Sequence, residues 1–182
     1  MNTTFAIIFI AASFCWFVIF SYIFILFIFD KLLPLVFFGA FYVPSQDAHI
    51  DTMIKLAKIR PGDKAVDLGA GDGRIVIALA KKGVEAHGYE INPMLVWKAN
   101  QAIAKEGLKG KAFMHLGNFW NKSLTDFDII VMYGISFAMK DLEEKIKKEA
   151  KPDMRIICNK FYFPTWTPTE KEETVFLYKK TL

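Results

Sequence analysis

Three glycines at alternate positions, Gly69, Gly71 and Gly73, lie between a short apolar run and a helical pattern. Glycine lets the backbone turn sharply and lets a ligand approach main-chain N–H groups at a helix N-terminus. Asp67 lies two positions before them, where a carboxylate would repel a pyrophosphate but suit a cationic ligand that carries hydroxyl groups. The dinucleotide-binding fingerprint has glycine at its sixth place, where this chain has Arg74. The pattern therefore predicts a ligand-binding loop of a different kind.

Two further groups fit the same ligand. Glu90 closes the second predicted strand, 17 residues after Gly73, and a carboxylate in that position can bind both hydroxyls of a ribose. Asn118 and Phe119 follow the third predicted strand. The amide of Asn118 can hydrogen-bond to a base, and the ring of Phe119 can stack on it.

Elements of alternating type must position these groups. Apolar runs predict strands, and residues at helical spacing between them predict helices. The strands are 65–68, 84–89, 112–116, 127–133 and 154–159, and the helices are 50–58, 74–82, 93–105 and 142–150. A closing pair of strands, 161–163 and 174–179, follows. Strands that alternate with helices indicate an α/β fold with a doubly wound, mostly parallel sheet.

The first 43 residues differ in composition from the rest. They hold 11 of the 18 phenylalanines but only two charged residues, Asp30 and Lys31. Phe5 to Phe29 contains no charge, proline or glycine, and its 25 positions exceed the roughly 20 that a bilayer core requires. We therefore expect a retained transmembrane helix. The apolar stretch from Leu32 to Val43 is too short to span and is interrupted by Pro34, so we expect it at the interface or packed on the domain.

This composition gives three segments: a transmembrane helix in residues 1–31, an apolar linker in 32–45 and a soluble domain in 46–182. Positive charges follow the helix, which favours a single-pass protein whose soluble domain faces the cytosol. Cys15 and Cys158 lie far apart and match no metal-ligand spacing, so we expect neither a metal site nor a disulfide framework. The lysines of 145–151 alternate with glutamates, so no nucleic-acid partner is expected.

These motifs resemble the cofactor motifs of class I, seven-strand S-adenosylmethionine-dependent methyltransferases. One subgroup is especially similar, and it contains small archaeal protein lysine methyltransferases and membrane-anchored mitochondrial enzymes that methylate lysines of inner-membrane proteins. Its signatures resemble Tyr42-Val43-Pro44-Ser45, Asp67-Leu68-Gly69 through Gly73-Arg74, Gly117-Asn118-Phe119 and Trp166-x-Pro168. The resemblance covers residues 41–182. It implies a Rossmann-like methyltransferase fold, S-adenosyl-L-methionine as cofactor, and lysine as acceptor. The segment after Phe163 is short, so we expect the sixth strand of this fold to be truncated or missing.

Two tyrosines are our candidates for catalytic positions. Tyr133 ends the fourth predicted strand, at the edge where substrates meet the cofactor in such sheets. Tyr42 precedes the first helix of the domain and is expected to lie over the cofactor. An aromatic, apolar channel lowers the pKa of a lysine amine by desolvation, which favours the neutral nucleophile.

Three functions stay open on the sequence alone. The first is a membrane-anchored protein lysine methyltransferase. The second is a methyltransferase for a lipid or small apolar acceptor, to which the same anchor would give access. The third is a non-enzymatic, membrane-tethered cofactor-binding protein, against which the intact glycine loop argues.

Overall fold

The computed structural model describes residues 3–28, 45, 47–134 and 136–180. The chain divides into two compact units, Met1–Phe41 and Tyr42–Leu182. The predicted interfacial segment from Leu32 to Val43 lies outside the described residues.

The described residues of the first unit form a long helix, α1, from Thr3 to Phe27. Its stretch Phe9–Phe27 has a mean hydropathy of 2.3, and none of it is buried. In the described part of the chain, α1 is the one helix that is long and apolar enough to cross a membrane. The hydroxyl of Ser13 donates to the carbonyl of Phe9 at 2.9 Å. This polar group is therefore satisfied within the helix.

The second unit alternates strands and helices. Its elements are α2 (Asp47–Ala57), β1 (Lys64–Leu68), α3 (Arg74–Lys81), β2 (Glu85–Glu90), α4 (Pro93–Lys105), β3 (Ala112–Leu116), β4 (Ile129–Tyr133), α5 (Met139–Glu149), β5 (Arg155–Asn159), β6 (Glu170–Glu172) and β7 (Val175–Lys179). Short 3₁₀ turns, Phe119–Asn121 and Ser136–Ala138, follow β3 and β4.

The strands form one seven-stranded sheet with the order β3-β2-β1-β4-β5-β7-β6. Strands β1 to β5 pair in parallel, whereas β7 is antiparallel to both β5 and β6. This is the Rossmann-like methyltransferase fold, and the prediction of a mostly parallel α/β sheet is confirmed. The sixth strand has three residues, so the expected truncation is also present.

Both faces of the sheet are covered, which is why the strands are apolar at consecutive positions. Ala65, Ile129 and Ile157 face one core, where α2, α3 and α4 contribute their apolar sides. Their chain neighbours, including Val66 and Ile130, face a second core that α5 closes.

The structure corrects the predicted closing pair. Residues 161–163 are not a strand, and the sheet partner of β7 is the charged segment Glu170–Glu172. The ring of Phe163 instead packs in the second core, 4.8 Å from that of Tyr178, and its backbone N–H donates to the Tyr178 hydroxyl. Phe163 is thus held by its ring and by its backbone N–H. This N–H is therefore not available to a neighbouring strand.

The chain between β5 and β6, all of which is described, contains no helix. Trp166 takes part in covering the sheet there, since its ring lies 5.8 Å from Phe163 and 5.6 Å from Tyr178. Thr165 donates through its backbone N–H and its hydroxyl to the buried carboxylate of Glu143 on α5. The tryptophan of the Trp166-x-Pro168 motif therefore has a packing role in this fold.

The C-terminal end of helix α2 is tied to the start of β5. Arg155, at the start of β5, donates to the carbonyls of Ala57 and Lys58 at the end of α2. Towards the other end of the strand, Lys55 pairs with Glu172 at 2.7 Å, and Glu172 lies level with Asn159 through Val175. Just before α2, the carbonyl of Ser45 accepts from Arg74, the first residue of α3. The chain that enters α2 therefore lies near the edge of the sheet where β1 ends.

Candidate active site

The carboxyl ends of four neighbouring strands bring the predicted site residues to one edge of the sheet. The glycine loop follows β1, Glu90 ends β2, Asn118 lies just beyond β3, and Tyr133 ends β4. Leu68 of β1 lies beside Tyr89 of β2 and Met132 of β4. In parallel sheets with this order, ligands bind at such an edge.

The glycine loop has the backbone that its sequence requires. Gly69, Gly71 and Gly73 have φ angles of +81°, +56° and +77°, which non-glycine residues rarely adopt. A Cβ atom at Gly73 would lie 2.8 Å from the Cβ of Ala99, so this glycine also lets the loop pack on α4. At Gly69 a Cβ would meet nothing within 4 Å, and this open space leaves the backbone accessible to a ligand.

Glu90 is held by backbone donors around its carboxylate. Its Oε2 accepts from Gly71 N–H at 2.9 Å, and its Oε1 accepts from the N–H groups of Ile91 and Asn92 at 2.9 and 2.8 Å. The side chain is 9% exposed. A carboxylate has about four acceptor positions, so an oriented oxygen remains for a ligand hydroxyl. Glu90 also fixes the shape of the glycine loop.

Asp67 is the other buried acid of the site. It is 2% exposed, and among the described residues no hydrogen bond reaches its carboxylate. Burial raises the pKa of Asp67 to about 8, and the nearby Glu90 and Asp72 carboxylates act in the same direction. A bound cation would offset this cost, since an opposite charge nearby favours the ionised form.

The raised pKa of Asp67 predicts a specific pH dependence of stability. Without ligand, the folded state holds this proton up to about pH 8, whereas the unfolded chain releases it near the ordinary aspartate pKa of about 3.9. Between these values the folded state binds more protons, so the free energy of unfolding falls as pH rises. We expect Asp67→Asn to flatten this decline when urea unfolding is compared at pH 5 and pH 8. Parallel declines in the variant and the parent would contradict the assignment.

Arg74 has a role that the sequence did not reveal. Its guanidinium pairs with Asp72 at 2.8 Å and donates through Nη1 to the carbonyl of Ser45 at the same distance. Ser45 is itself buried. Arg74 therefore ties the chain that enters α2 to the glycine loop. The signal available in the sequence was an arginine directly after the last glycine of the loop.

Asn118 and Phe119 lie at the edge, with different exposures. Asn118 is exposed, and its Oδ1 accepts from Trp120 N–H at 3.0 Å, which leaves its amide N–H groups directed to solvent or a ligand. Phe119 is partly buried against the second core, and its ring lies 5.0 Å from that of Trp120. Asn118 is thus the more accessible of the two predicted contacts.

Of the two candidate tyrosines, Tyr133 lies at the described edge of the sheet. Tyr133 is partly exposed at the end of β4, and the Nζ atom of Lys160 lies 5.9 Å from the centre of its ring. Tyr42 lies outside the described residues. It is three positions before Ser45 in the chain, a reach of at most about 11 Å.

Comparison with known proteins identifies the family of this fold. A family model described as the ANTKMT methyltransferase domain matches residues 67–170. The chain belongs to this family. Within residues 67–170 lie the glycine loop, Glu90, Asn118 and Tyr133, so the matched region includes the whole described edge.

Two curated relatives and one solved structure extend the comparison. The ATP synthase c-subunit lysine N-methyltransferase of Homo sapiens is 39% identical over 141 residues, 75% of this chain and 60% of that protein. The chain thus spans 60% of that relative's length. A protein-lysine N-methyltransferase of Saccharolobus islandicus (strain REY15A) is 33% identical over 147 residues, 75% of this chain and 91% of that relative. The crystal structure of an RNA methyltransferase from Salinibacter ruber with S-adenosyl-L-homocysteine matches with a TM-score of 0.73 and 26% identity, over 75% of this chain and 93% of that one.

S-adenosylmethionine is the cofactor of this methyltransferase domain, and the described residues fit it. The loop at Gly69 leaves room for close approach, and the buried Asp67 would be stabilised by a cationic ligand. Glu90 offers an oriented carboxylate oxygen for a ribose hydroxyl, and Asn118 offers an exposed amide for the base. The bound cofactor supplies an electrophilic methyl group on a sulfonium.

Proposed function

We propose that this protein is a membrane-anchored, S-adenosylmethionine-dependent methyltransferase that methylates lysine side chains of proteins. The observation that carries the proposal is the match to the Saccharolobus protein-lysine N-methyltransferase, since it covers 91% of that relative. The matched domain therefore corresponds to nearly all of that relative. The proposed segments are the anchor in residues 1–31, a linker in 32–45 and the catalytic domain in 46–182.

Catalysis by this site would rest mainly on alignment. Methyl transfer is an in-line displacement, and positioning of two reactants alone can lower the barrier by about 7–11 kcal/mol. We assign Asp67, Gly69, Gly71, Gly73, Glu90, Asn118 and Phe119 to cofactor binding. Tyr133 lies one strand from the glycine loop, because Leu68 and Met132 are paired just before Gly69 and Tyr133. Its aromatic face is suited to guide a lysine amine to the methyl group.

We assign Tyr42 to a position over the cofactor in the same site. Arg74 donates to the carbonyl of Ser45 at 2.8 Å, and Arg74 directly follows the glycine loop at this edge. A residue three positions before Ser45 is within reach of the cofactor. A ring in this position would help to exclude water from the acceptor amine.

The acceptor class separates this proposal from its alternative, a lipid or small apolar acceptor. Native membranes would be incubated with full-length enzyme and methyl-labelled cofactor, and then separated into protein and lipid fractions. We expect the label in protein. Label recovered in lipid alone would overturn lysine as acceptor and leave the methyltransferase activity standing, whereas absence of transfer to any acceptor, despite cofactor binding, would overturn the enzymatic proposal.

The anchor should affect activity on membranes more than cofactor affinity. Helix α1 contains no predicted cofactor residue, and tethering raises the effective concentration of an acceptor on the same surface. We therefore expect removal of residues 1–31 to leave cofactor affinity unchanged while transfer to membrane-embedded acceptors falls strongly. A second truncation, of residues 1–43, also removes Tyr42 and tests its contribution to cofactor binding. Equal rates of the full-length and the first truncated protein, on membranes and on a detergent-solubilised acceptor, would show that the helix does not present the enzyme to its acceptor.

A further inference from the structure

Lys160, directly after β5, has a backbone conformation that lysine rarely adopts. Its φ angle is +73°, in the left-handed region that costs a non-glycine residue energy. The conformation is held from both sides, since Lys160 N–H donates to the Thr174 carbonyl at 2.8 Å and Phe161 N–H donates to the Asn159 carbonyl at 3.0 Å. Strain of this kind occurs at functional sites, where the surrounding structure maintains it.

The side chain of Lys160 rests on two aromatic rings. Its Nζ atom lies 5.9 Å from the ring centre of Tyr133 and 6.0 Å from that of Phe161, within the range of cation–π attraction. No carboxylate whose side chain the structure describes forms an ion pair with it, in contrast to Lys55 or Lys145. Lys160 is exposed, and the contacts that its amine makes among the described side chains are to aromatic rings.

The register of the strands places this amine near the cofactor loop. Leu68 pairs with Met132, so the next residues, Gly69 and Tyr133, lie level on neighbouring strands. Tyr133 in turn pairs with Asn159, immediately before Lys160. Tyr133, the ring on which the Lys160 amine rests, therefore ends the strand next to β1, which leads into the glycine loop. Neighbouring strands lie about 4.8 Å apart.

We propose that Lys160 occupies the acceptor position and is a site of self-methylation. This inference rests on the proposed function, because it uses the same acceptor site. The lone pair of the neutral Nζ attacks the methyl carbon of the sulfonium, and an N–C bond forms. The C–S bond breaks with its electron pair going to sulfur, which yields S-adenosylhomocysteine, and the amine proton leaves to water. The methylated amine keeps its affinity for aromatic faces when it is charged.

Peptide mass spectrometry of the full-length protein tests this directly. The protein, in detergent, would be incubated with methyl-labelled S-adenosylmethionine, alone and with native membranes, and compared with Lys160→Arg and the matched control Lys140→Arg. Lys140 is an exposed lysine near the N-terminal end of α5. We expect label on Lys160 in the parent and the control, its loss in Lys160→Arg, and a rate per molecule that does not change on dilution.

Label on other lysines only, or a rate that falls in proportion to dilution, would overturn the inference. Labelled membrane proteins without label on Lys160 would overturn it while leaving the proposed function intact. Absence of any labelled protein would count against both.

A measurement without methyl transfer decides the geometry independently. Acetic anhydride would be applied to the protein with and without S-adenosylhomocysteine, and acetylation of Lys160 and Lys140 followed by mass spectrometry. If the Lys160 amine lies beside the cofactor, the bound product should slow its acetylation and leave that of Lys140 unchanged. Equal acetylation of Lys160 in both conditions would place the amine away from the cofactor and contradict the proposal.

Discussion

Replacing Arg155 with methionine is expected to lower the free energy of unfolding by about 3–5 kcal/mol. Arg155 is 2% exposed, and it donates to Asp63 at 2.6 Å and to the carbonyls of Ala57 and Lys58 at 3.1 and 2.6 Å. Methionine keeps most of the packed volume but leaves the buried Asp63 carboxylate without its partner. Because these bonds fix the end of α2, the variant should also loosen the packing of α2 on the sheet.

The double variant Arg155→Met/Asp63→Asn separates the charge effect from packing. Removing both members of a buried ion pair is often nearly neutral, so we expect most of the lost stability to return. Urea unfolding of the full-length protein in detergent, followed by tryptophan fluorescence, measures both values. If the single and the double variants are equally unstable, the carbonyl contacts dominate rather than the ion pair.

The second large effect is expected at Glu90. Glu90→Ala removes the carboxylate oxygen that remains for a ribose hydroxyl, and a charge-assisted hydrogen bond contributes about 1.5–3 kcal/mol. It also frees the N–H of Gly71, which Glu90 holds at 2.9 Å. Affinity for S-adenosylhomocysteine should therefore fall on the order of a hundredfold or more, as measured by calorimetry at a temperature where circular dichroism shows the variant folded.

Glu85→Ala is the matched control, because Glu85 lies on the same strand but is exposed and pairs with Lys64. Its removal should leave the affinity unchanged. Unaltered affinity in the Glu90 variant would show that this acid only shapes the loop. A comparable loss in both variants would point to a general weakening of β2.

Much of this fold follows from local patterns. The central strands β1, β4 and β5 are mostly apolar because they are buried on both faces, whereas β2 and β3 are partly exposed. The positions of all five could be predicted to within a few residues. The glycine spacing predicted a turn with positive φ angles, and Gly69, Gly71 and Gly73 have them. Parallel order then placed Glu90, Asn118 and Tyr133 at the same edge without further information.

The remaining features depend on contacts between distant residues. β6 was missed because its residues, Glu170-Lys171-Glu172, lack apolar alternation. Its position depends instead on ion pairs of Glu172 with Lys55, on α2, and of Glu170 with Lys58, just after α2. Arg155 was recognised as part of a strand, but its partner Asp63 lies 92 positions away in sequence. The same holds for the bond from Arg74 to Ser45. No periodicity within a single element encodes such pairs.

We expect the transferred methyl group on a lysine side-chain nitrogen, and amino acid analysis identifies the methylated atom directly. Native membranes labelled by the full-length enzyme would be delipidated, the protein hydrolysed in acid, and the labelled amino acids separated by chromatography against methyllysine standards. We predict that the label coelutes with methylated lysine and, at limiting cofactor, falls strongly when Glu90→Ala replaces the parent enzyme. Label released as volatile methanol, as from a methyl ester, or label found in another amino acid, would contradict lysine methylation by this site.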